Sequence, residues 1–125
     1  FDHRQFITRK ITNHKLLDRL EHLLFDYFNS DALVTKGLPT VQSISDALNV
    51  SPNYLSTLLK LLTGQSPQQH IHNKLIEKAK EKLSTTDLSV SEIAFTLGFE
   101  HSQSFSKLFK NKTALSPLEF RQSFN

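Results

Sequence analysis

Thr40-Val-Gln-Ser-Ile-Ser-Asp-Ala-Leu-Asn-Val50 reads onto Ser89-Val-Ser-Glu-Ile-Ala-Phe-Thr-Leu-Gly-Phe99 with Val, Ile and Leu in register, and this repetition decides the fold. The second copy then gains one residue. After it, Leu55-Ser-Thr-Leu-Leu-Lys60 matches Phe105-Ser-Lys-Leu-Phe-Lys110, and Thr63-Gly-Gln-Ser-Pro67 matches Thr113-Ala-Leu-Ser-Pro117. Repeats with a period of about fifty residues often build solenoids or propellers, but those need at least three units to bury a continuous core. With only two copies, each reads as a short helix, a tight turn and a second helix, so that two equivalent recognition units share one polypeptide.

Outward from the repeats, the remaining segments also read as helices. Leu16, Leu17, Leu20, Leu23, Leu24, Tyr27 and Phe28 recur at helical spacing, with Asp18, Arg19, Glu21 and Asp26 on the other face. Asn29-Ser-Asp31 and Gly37-Leu-Pro39 bracket a loop. Thr40 and Ser89 are placed to cap the two short helices, and Ser89-Val-Ser-Glu92 has capping-box spacing. Leu75, Ile76, Ala79 and Leu83 trace a stripe on a connecting helix that Pro67 starts and Ser84-Thr-Thr-Asp87 ends. Pro117 starts a last helix carrying Phe120 and Phe124. Gly98 stands where the turn needs positive φ, and Asn49 holds the same place in the first copy as one of the side chains that tolerate it.

The expectation is an all-α fold of about seven helices, with two helix-turn-helix subdomains joined by a long central helix. Residues 1–13 show no helical period and read as a linker or tail from an upstream domain; 14–66 form the first subdomain, 67–84 the connecting helix and 85–125 the second subdomain. Methionine is absent, also at position 1, so a stretch of a longer protein is expected.

Composition bounds the function classes. The 125 residues suit one domain, or two small ones sharing a helix. Without cysteine there is no disulfide, thiolate zinc site or thiol nucleophile, which fits a reducing, cytoplasmic location. The sequence has no apolar run of membrane-spanning length and no signal-peptide layout. The net charge of +3 is compatible with nucleic acid without demanding it. Its distribution says more: Lys107, Lys110 and Lys112 lie together in the second copy, whereas Asp46 and Lys60 are the only charges of the first.

Ser51-Pro-Asn-Tyr-Leu-Ser56, Leu59-Lys60 and Thr63-Gly-Gln-Ser-Pro67 resemble the first helix-turn-helix of AraC/XylS-type bacterial transcription regulators. Ser91-Glu-Ile-Ala94, Leu97-Gly-Phe99, Ser104-Phe-Ser106, Phe109-Lys110, Ser116-Pro117 and Glu119-Phe-Arg121 resemble that family's C-terminal signature. The resemblance implies sequence-specific binding of double-stranded DNA, with both recognition helices in successive major grooves on one face. It also implies RNA polymerase as a partner and an upstream sensory or dimerisation domain. The chain departs from the family's common pattern at Lys74, Thr57, Leu59, Leu61 and Ala114.

A recognition helix docks by an apolar face and reads base edges with a polar one. Leu55, Leu58, Leu59 and Leu62 supply the docking face of the first, and Asn53, Ser56, Thr57 and Lys60 fall opposite. Matching the family's base-facing positions selects Asn53, Ser56 and Thr57 from these. Phe105, Leu108 and Phe109 dock the second, whose matching outward positions are Ser102, Gln103, Ser104 and Lys107. Asn or Gln pairs with adenine, Lys with guanine, and the Thr methyl meets thymine; an ordinary solvated helix face would show the same polar spacing. Thr40, Ser89, Lys110 and Arg121 are candidate phosphate contacts, against plain capping for the two hydroxyls and a salt bridge for Arg121.

His70 and His72, two apart on a helix, diverge and make a poor metal pair, so packing is the expected role of His70 and no metal or cofactor is expected. The lysines from Lys74 to Lys82, interleaved with Glu77 and Glu81, read as a solvated face with i,i+4 pairs. No glycine-rich phosphate loop, paired carboxylates or nucleophile with a base stands out, so no enzyme is expected. The alternatives to DNA binding are a helical protein-interaction module on the same scaffold, with little DNA affinity, and an accessory domain of an enzyme. The nearly neutral first unit favours the interaction module, and the lysines of the second oppose it.

Overall fold

Thr40 and Ser89 start the two short helices by the same device. Thr40 Oγ1 accepts from the Ser43 amide at 3.0 Å, and Ser43 Oγ accepts from the Thr40 amide at 3.0 Å. Ser89 Oγ accepts from the Glu92 amide at 3.0 Å, and Glu92 Oε1 accepts from the Ser89 amide at 2.9 Å. Each box satisfies two amides that a helix start would leave unpaired.

The computed structural model describes the backbone of residues 3–124 and the side chains of residues 14–124. Among the described residues there are eight helices and no strand: α1 (His3–Phe28), α2 (Ala32–Lys36), α3 (Val41–Ala47), α4 (Pro52–Thr63), α5 (Pro67–Thr85), α6 (Val90–Thr96), α7 (Ser102–Thr113) and α8 (Pro117–Gln122). The repeat is carried through to geometry, since α3 and α6 both have 7 residues and α4 and α7 both have 12. Proline opens α5 and α8 after a serine N-cap in each case.

Two segments are more helical than their sequence patterns suggest. The stretch before His14 is helical from His3, although it lacks an apolar period. An amphipathic pattern reports packing, whereas extending an anchored helix needs only good helix formers such as Arg4, Gln5, Arg9 and Lys10. The side chains of that stretch lie outside the described residues, as do Phe1, Asp2 and Asn125. The loop between Asn29 and Pro39 contains the extra helix α2, whose 5 residues are too few to show a period. Leu33 buries itself in the core, Thr35 Oγ1 donates to the Asp31 carbonyl at 3.0 Å, and the Tyr27 hydroxyl donates to the Gly37 carbonyl at 2.6 Å.

The central α5 packs against α1, α4, α6 and α8 through buried Ile71, Leu75, Ile76, Ala79 and Leu83. The core changes chemistry along the chain. Around α4 it is aliphatic, with Leu48, Leu55, Leu58 and Leu59 buried. Around α7 it becomes a ladder of rings, Phe99–Phe105–Phe109–Phe120, with successive centroids 5.6, 5.9 and 5.6 Å apart, which exposed Phe124 continues at the surface, 5.0 Å from Phe120. These are the tilted and edge-on arrangements that aromatic quadrupoles favour.

The two halves also meet away from α5. Helix α2 packs on α6, and the turn after α6 brings Gly98 against the backbone of Leu33 and Gly37. The lysines of α5 are half structural. Lys74 Nζ lies 3.5 Å from Glu21 of α1, and Lys78 Nζ donates to Asn29 Oδ1 at 2.9 Å. Within α5 the ion pairs are Lys74–Glu77 and Lys78–Glu81 at i,i+3, which corrects the expected i,i+4 spacing; four residues on from each of these lysines stands another lysine.

Candidate nucleic-acid interface

The turn of each helix-turn-helix follows from one backbone demand met by two residues. Asn49 has φ 59° and Gly98 has φ 92°. The amide after each returns to the preceding helix: Val50 N donates to Ser45 O and Phe99 N to Ala94 O, both at 3.0 Å. Ser45 and Ala94, small and buried, occupy matching positions, and Ser45 Oγ satisfies itself by donating to Val41 O at 2.8 Å.

Beyond the turn, α4 and α7 dock as expected. Leu55, Leu58 and Leu59 are buried with Leu62 partly so, as are Phe105 and Phe109 with Leu108 partly so. On the opposite side Asn53, Ser56, Thr57, Lys60, Gln103, Ser104 and Lys107 are all exposed, while Ser102 is half-buried at the start of α7. Both helices stop in a left-handed residue, Gly64 at φ 75° and Ala114 at φ 68°, whose amides donate to Lys60 O and Lys110 O. Thr63 and Thr113 brace these ends by donating to the carbonyls of Leu59 and Phe109 at 2.7 and 2.8 Å.

The extra residue of the second copy falls between Phe99 and α7 and changes how that helix starts. Ser51 caps α4 by accepting from the Tyr54 amide at 3.1 Å, whereas His101, the N-cap of α7, makes no side-chain cap. Charge differs as well. Lys107, Lys110 and Lys112 are exposed on α7 against Lys60 alone on α4, and none of the four joins a salt bridge among the described residues.

Among the phosphate candidates, Thr40 and Ser89 spend their hydroxyls as acceptors in the capping boxes. The hydrogen bond from the Ser89 amide, then that from its hydroxyl, holds the Glu92 carboxyl below its usual pKa. A charged carboxylate therefore sits at the start of α6, where α3 has neutral Ser43. Lys110 is exposed and free to reach outward. Arg121 has intramolecular partners: its Nε donates to the Leu83 carbonyl at 3.0 Å and an Nη to the Thr86 carbonyl at 3.3 Å. It tethers α8 to the end of α5, whose last carbonyls lack helical partners, and pairs with no carboxylate among the described residues.

His70 is half-buried, and its Nε2 lies 2.9 Å from Thr63 Oγ1. The threonine proton already goes to Leu59 O, so the ring nitrogen is the donor. His72 Nε2 lies 3.0 Å from Gln68 Nε2. Burial lowers the pKa of both rings. No group of three or more residues able to hold a metal occurs among the described residues. Nor is any described helix long and apolar enough to cross a membrane.

Paired short and long helices, repeated with the same turn and the same polar outer face, define a tandem helix-turn-helix module. A protein-family model described as "Helix-turn-helix domain" matches residues 44–123. The chain belongs to this AraC-type helix-turn-helix family. It is 39% identical over 84 residues to the raffinose operon transcriptional regulatory protein of Pediococcus pentosaceus, a match covering 67% of this chain and 30% of that protein. The C-terminal domain of AraT, a response regulator from Geobacillus stearothermophilus, superposes with a TM-score of 0.74 at 30% identity, covering 86% of this chain and 84% of that one. The DNA-binding domain of AdpA, solved in complex with a target DNA, shares the fold with a TM-score of 0.71 at 21% identity, covering 87% of this chain and 91% of that one. The chain thus spans about 30% of the length of the curated relatives it matches.

Proposed function

We propose that this module is the reading head of a bacterial transcription regulator and binds double-stranded DNA in a sequence-specific way. The observation that carries the reading is the duplicated recognition helix: α4 and α7, equal in length and docked by the same apolar register, both turn polar residues to solvent. Asn53, Ser56, Thr57 and Lys60 of α4 would face bases in one major groove, and Ser102, Gln103, Ser104 and Lys107 of α7 those in the next. Lys110 would hold a phosphate. The amides at the starts of α3 and α6, next to Thr40 and Ser89, would add weaker contacts. AdpA, which shares this fold, supports the reading through its complex with a target DNA.

Helix α5 has 19 residues and spans about 28 Å at 1.5 Å per residue, against a groove repeat of about 34 Å. Both helices therefore engage successive grooves only if the DNA bends or the remainder of each unit covers the difference. RNA polymerase and an upstream sensory or dimerisation domain are the further partners of such a head, acting in the cytoplasm without enzymatic chemistry of its own. A gel shift against a randomised duplex pool at low and moderate salt tests the reading. A selected sequence protected on one side in two adjacent segments is expected; absence of any retained duplex at low salt would refute it.

A further inference from the structure

The two recognition helices differ along one edge in a way that their shared backbone does not require. Leu61 is 78% exposed, more than any other large apolar residue among those described, and Tyr54 is 49% exposed on the same helix. Seven residues apart, they project within about 20° of each other, with Thr57 between them. The matching positions of α7 are Ser104, Lys107 and Asn111, all exposed and all able to hydrogen-bond. One helix thus adds exposed apolar surface, the Tyr54 ring and the Leu61 side chain, where its copy carries only small or charged polar side chains. A single exposed leucine means little; a leucine and a tyrosine on one edge, with the Thr57 methyl between them and confined to one copy of a duplicated element, call for an occupant.

We infer that the Tyr54–Thr57–Leu61 edge of α4 reads thymine 5-methyl groups, with Leu61 as a specificity-determining residue. The inference rests on the DNA-binding reading above. The thymine methyl is the apolar group that a base pair shows in the major groove, and it is matched by aliphatic side chains rather than by hydrogen bonds. The edge is continuous with the proposed base-facing set, because an open groove beside α4 is lined by Ser56, Thr57, Lys60, Leu61 and Ser66. Lys60, exposed in that groove, suits a polyanion at its border. Under α4, methyl contact along this edge adds to the polar readout by Asn53, Ser56 and Lys60, whereas Gln103 and Lys107 of α7 read through hydrogen bonds.

The test starts from an operator selected with this chain out of a randomised duplex pool. Each thymine is replaced in turn by deoxyuridine, which removes the methyl and keeps the base pair. At one or two positions in one half-site, replacement should weaken binding about fourfold each, the equivalent of ~0.8 kcal/mol per buried carbon group. Leu61→Ala should erase that sensitivity at one of these positions, the one beneath Leu61, and leave thermal melting unchanged, because the side chain is exposed. Neutral replacement at every position, or an undiminished penalty in the Leu61→Ala protein, overturns the proposal. If Leu61→Ala instead abolishes self-association in sedimentation and keeps the deoxyuridine penalties, the edge is a protein contact and the proposal falls. Failure to select any duplex would refute the DNA-binding reading itself, a different outcome from the other three.

Discussion

Leu33 and Gly98 meet backbone to backbone: a Cβ added to Gly98 would stand 2.6 Å from the Leu33 carbonyl oxygen and 3.0 Å from the Gly37 Cα. Leu33 belongs to the helix before the first repeat and Gly98 to the turn of the second, so this approach couples the halves beside α5. Asn49, at the equivalent turn, is exposed. Gly98→Asn should therefore fail although asparagine serves the first copy. A loss of at least ~2 kcal/mol in denaturant unfolding is expected, from left-handed backbone and displacement of α2 together. A Gly98→Asn protein as stable as the parent would show that α2 yields freely.

Ala114 ends α7 at φ 68°, where α4 ends in Gly64. The left-handed conformation costs a residue with a Cβ ~1–2 kcal/mol, offset in part by the greater freedom glycine has when unfolded. Ala114→Gly should raise stability by roughly 0.5–1 kcal/mol, read as a higher melting temperature. An unchanged or lowered value counts against the strain.

The two bonds from Arg121 to the end of α5 predict a stability role separable from DNA binding. Arg121→Ala should lower the unfolding free energy by about 1–3 kcal/mol. At temperatures where that variant stays folded, its salt dependence of DNA affinity should match the parent's. A slope shallower by about one contact would instead place the guanidinium on a phosphate.

Labour should divide between the recognition helices as their lysines do. Lys107→Ala should weaken operator binding by about 1–3 kcal/mol and more than Thr57→Ala, as measured by titration at fixed salt. With few exposed cations on the two helices, the log–log salt slope should correspond to roughly three to five phosphate contacts rather than about ten. Equal, small losses from both substitutions would mean that neither side chain touches a base.

Burial lowers the pKa of His70, with Glu21 opposing and Lys74 adding, and it lowers that of His72, with Lys112 adding. The unfolded chain then binds protons more readily than the fold, so the stability these rings contribute is complete above the ordinary value of 6.5 and is lost as pH falls below it. Glu92 and Glu119 shift downward mainly through hydrogen bonds from the Ser89 and Ser116 amides, so their contribution is lost only as pH falls below the usual 4.5. Melting temperature should fall in two steps on acidification. His70→Gln, which keeps a donor for Thr63, should flatten the upper one. A profile through pH 6.5 that is identical in parent and variant would exclude His70 from that step.

The sequence by itself determined the duplication, the helical class, the turns at Asn49 and Gly98, the serine and threonine caps and the docking faces of α4 and α7. Each is encoded locally: a cap is a hydroxyl within three residues of an amide, a docking face is a 3.6-residue period, and a turn is one residue able to take positive φ. The tertiary structure alone decided what depends on distant partners. Helix α2 is too short to leave a period, and Tyr27 and the core hold it in place. The lysines Lys74 and Lys78 read as a solvated face because Glu21 on α1 and Asn29 just past its end, which they reach, are far away in sequence. Arg121 read as a phosphate contact or a salt bridge, and its bonds to the Leu83 and Thr86 carbonyls were not foreseen, because carbonyl acceptors have no signature in a side-chain pattern. Gly98 carried a second reason to be glycine that its own turn could not reveal, since the atom it must avoid belongs to Leu33. Local chemistry writes the elements into the sequence, whereas which surfaces meet depends on chain closure that no short window contains.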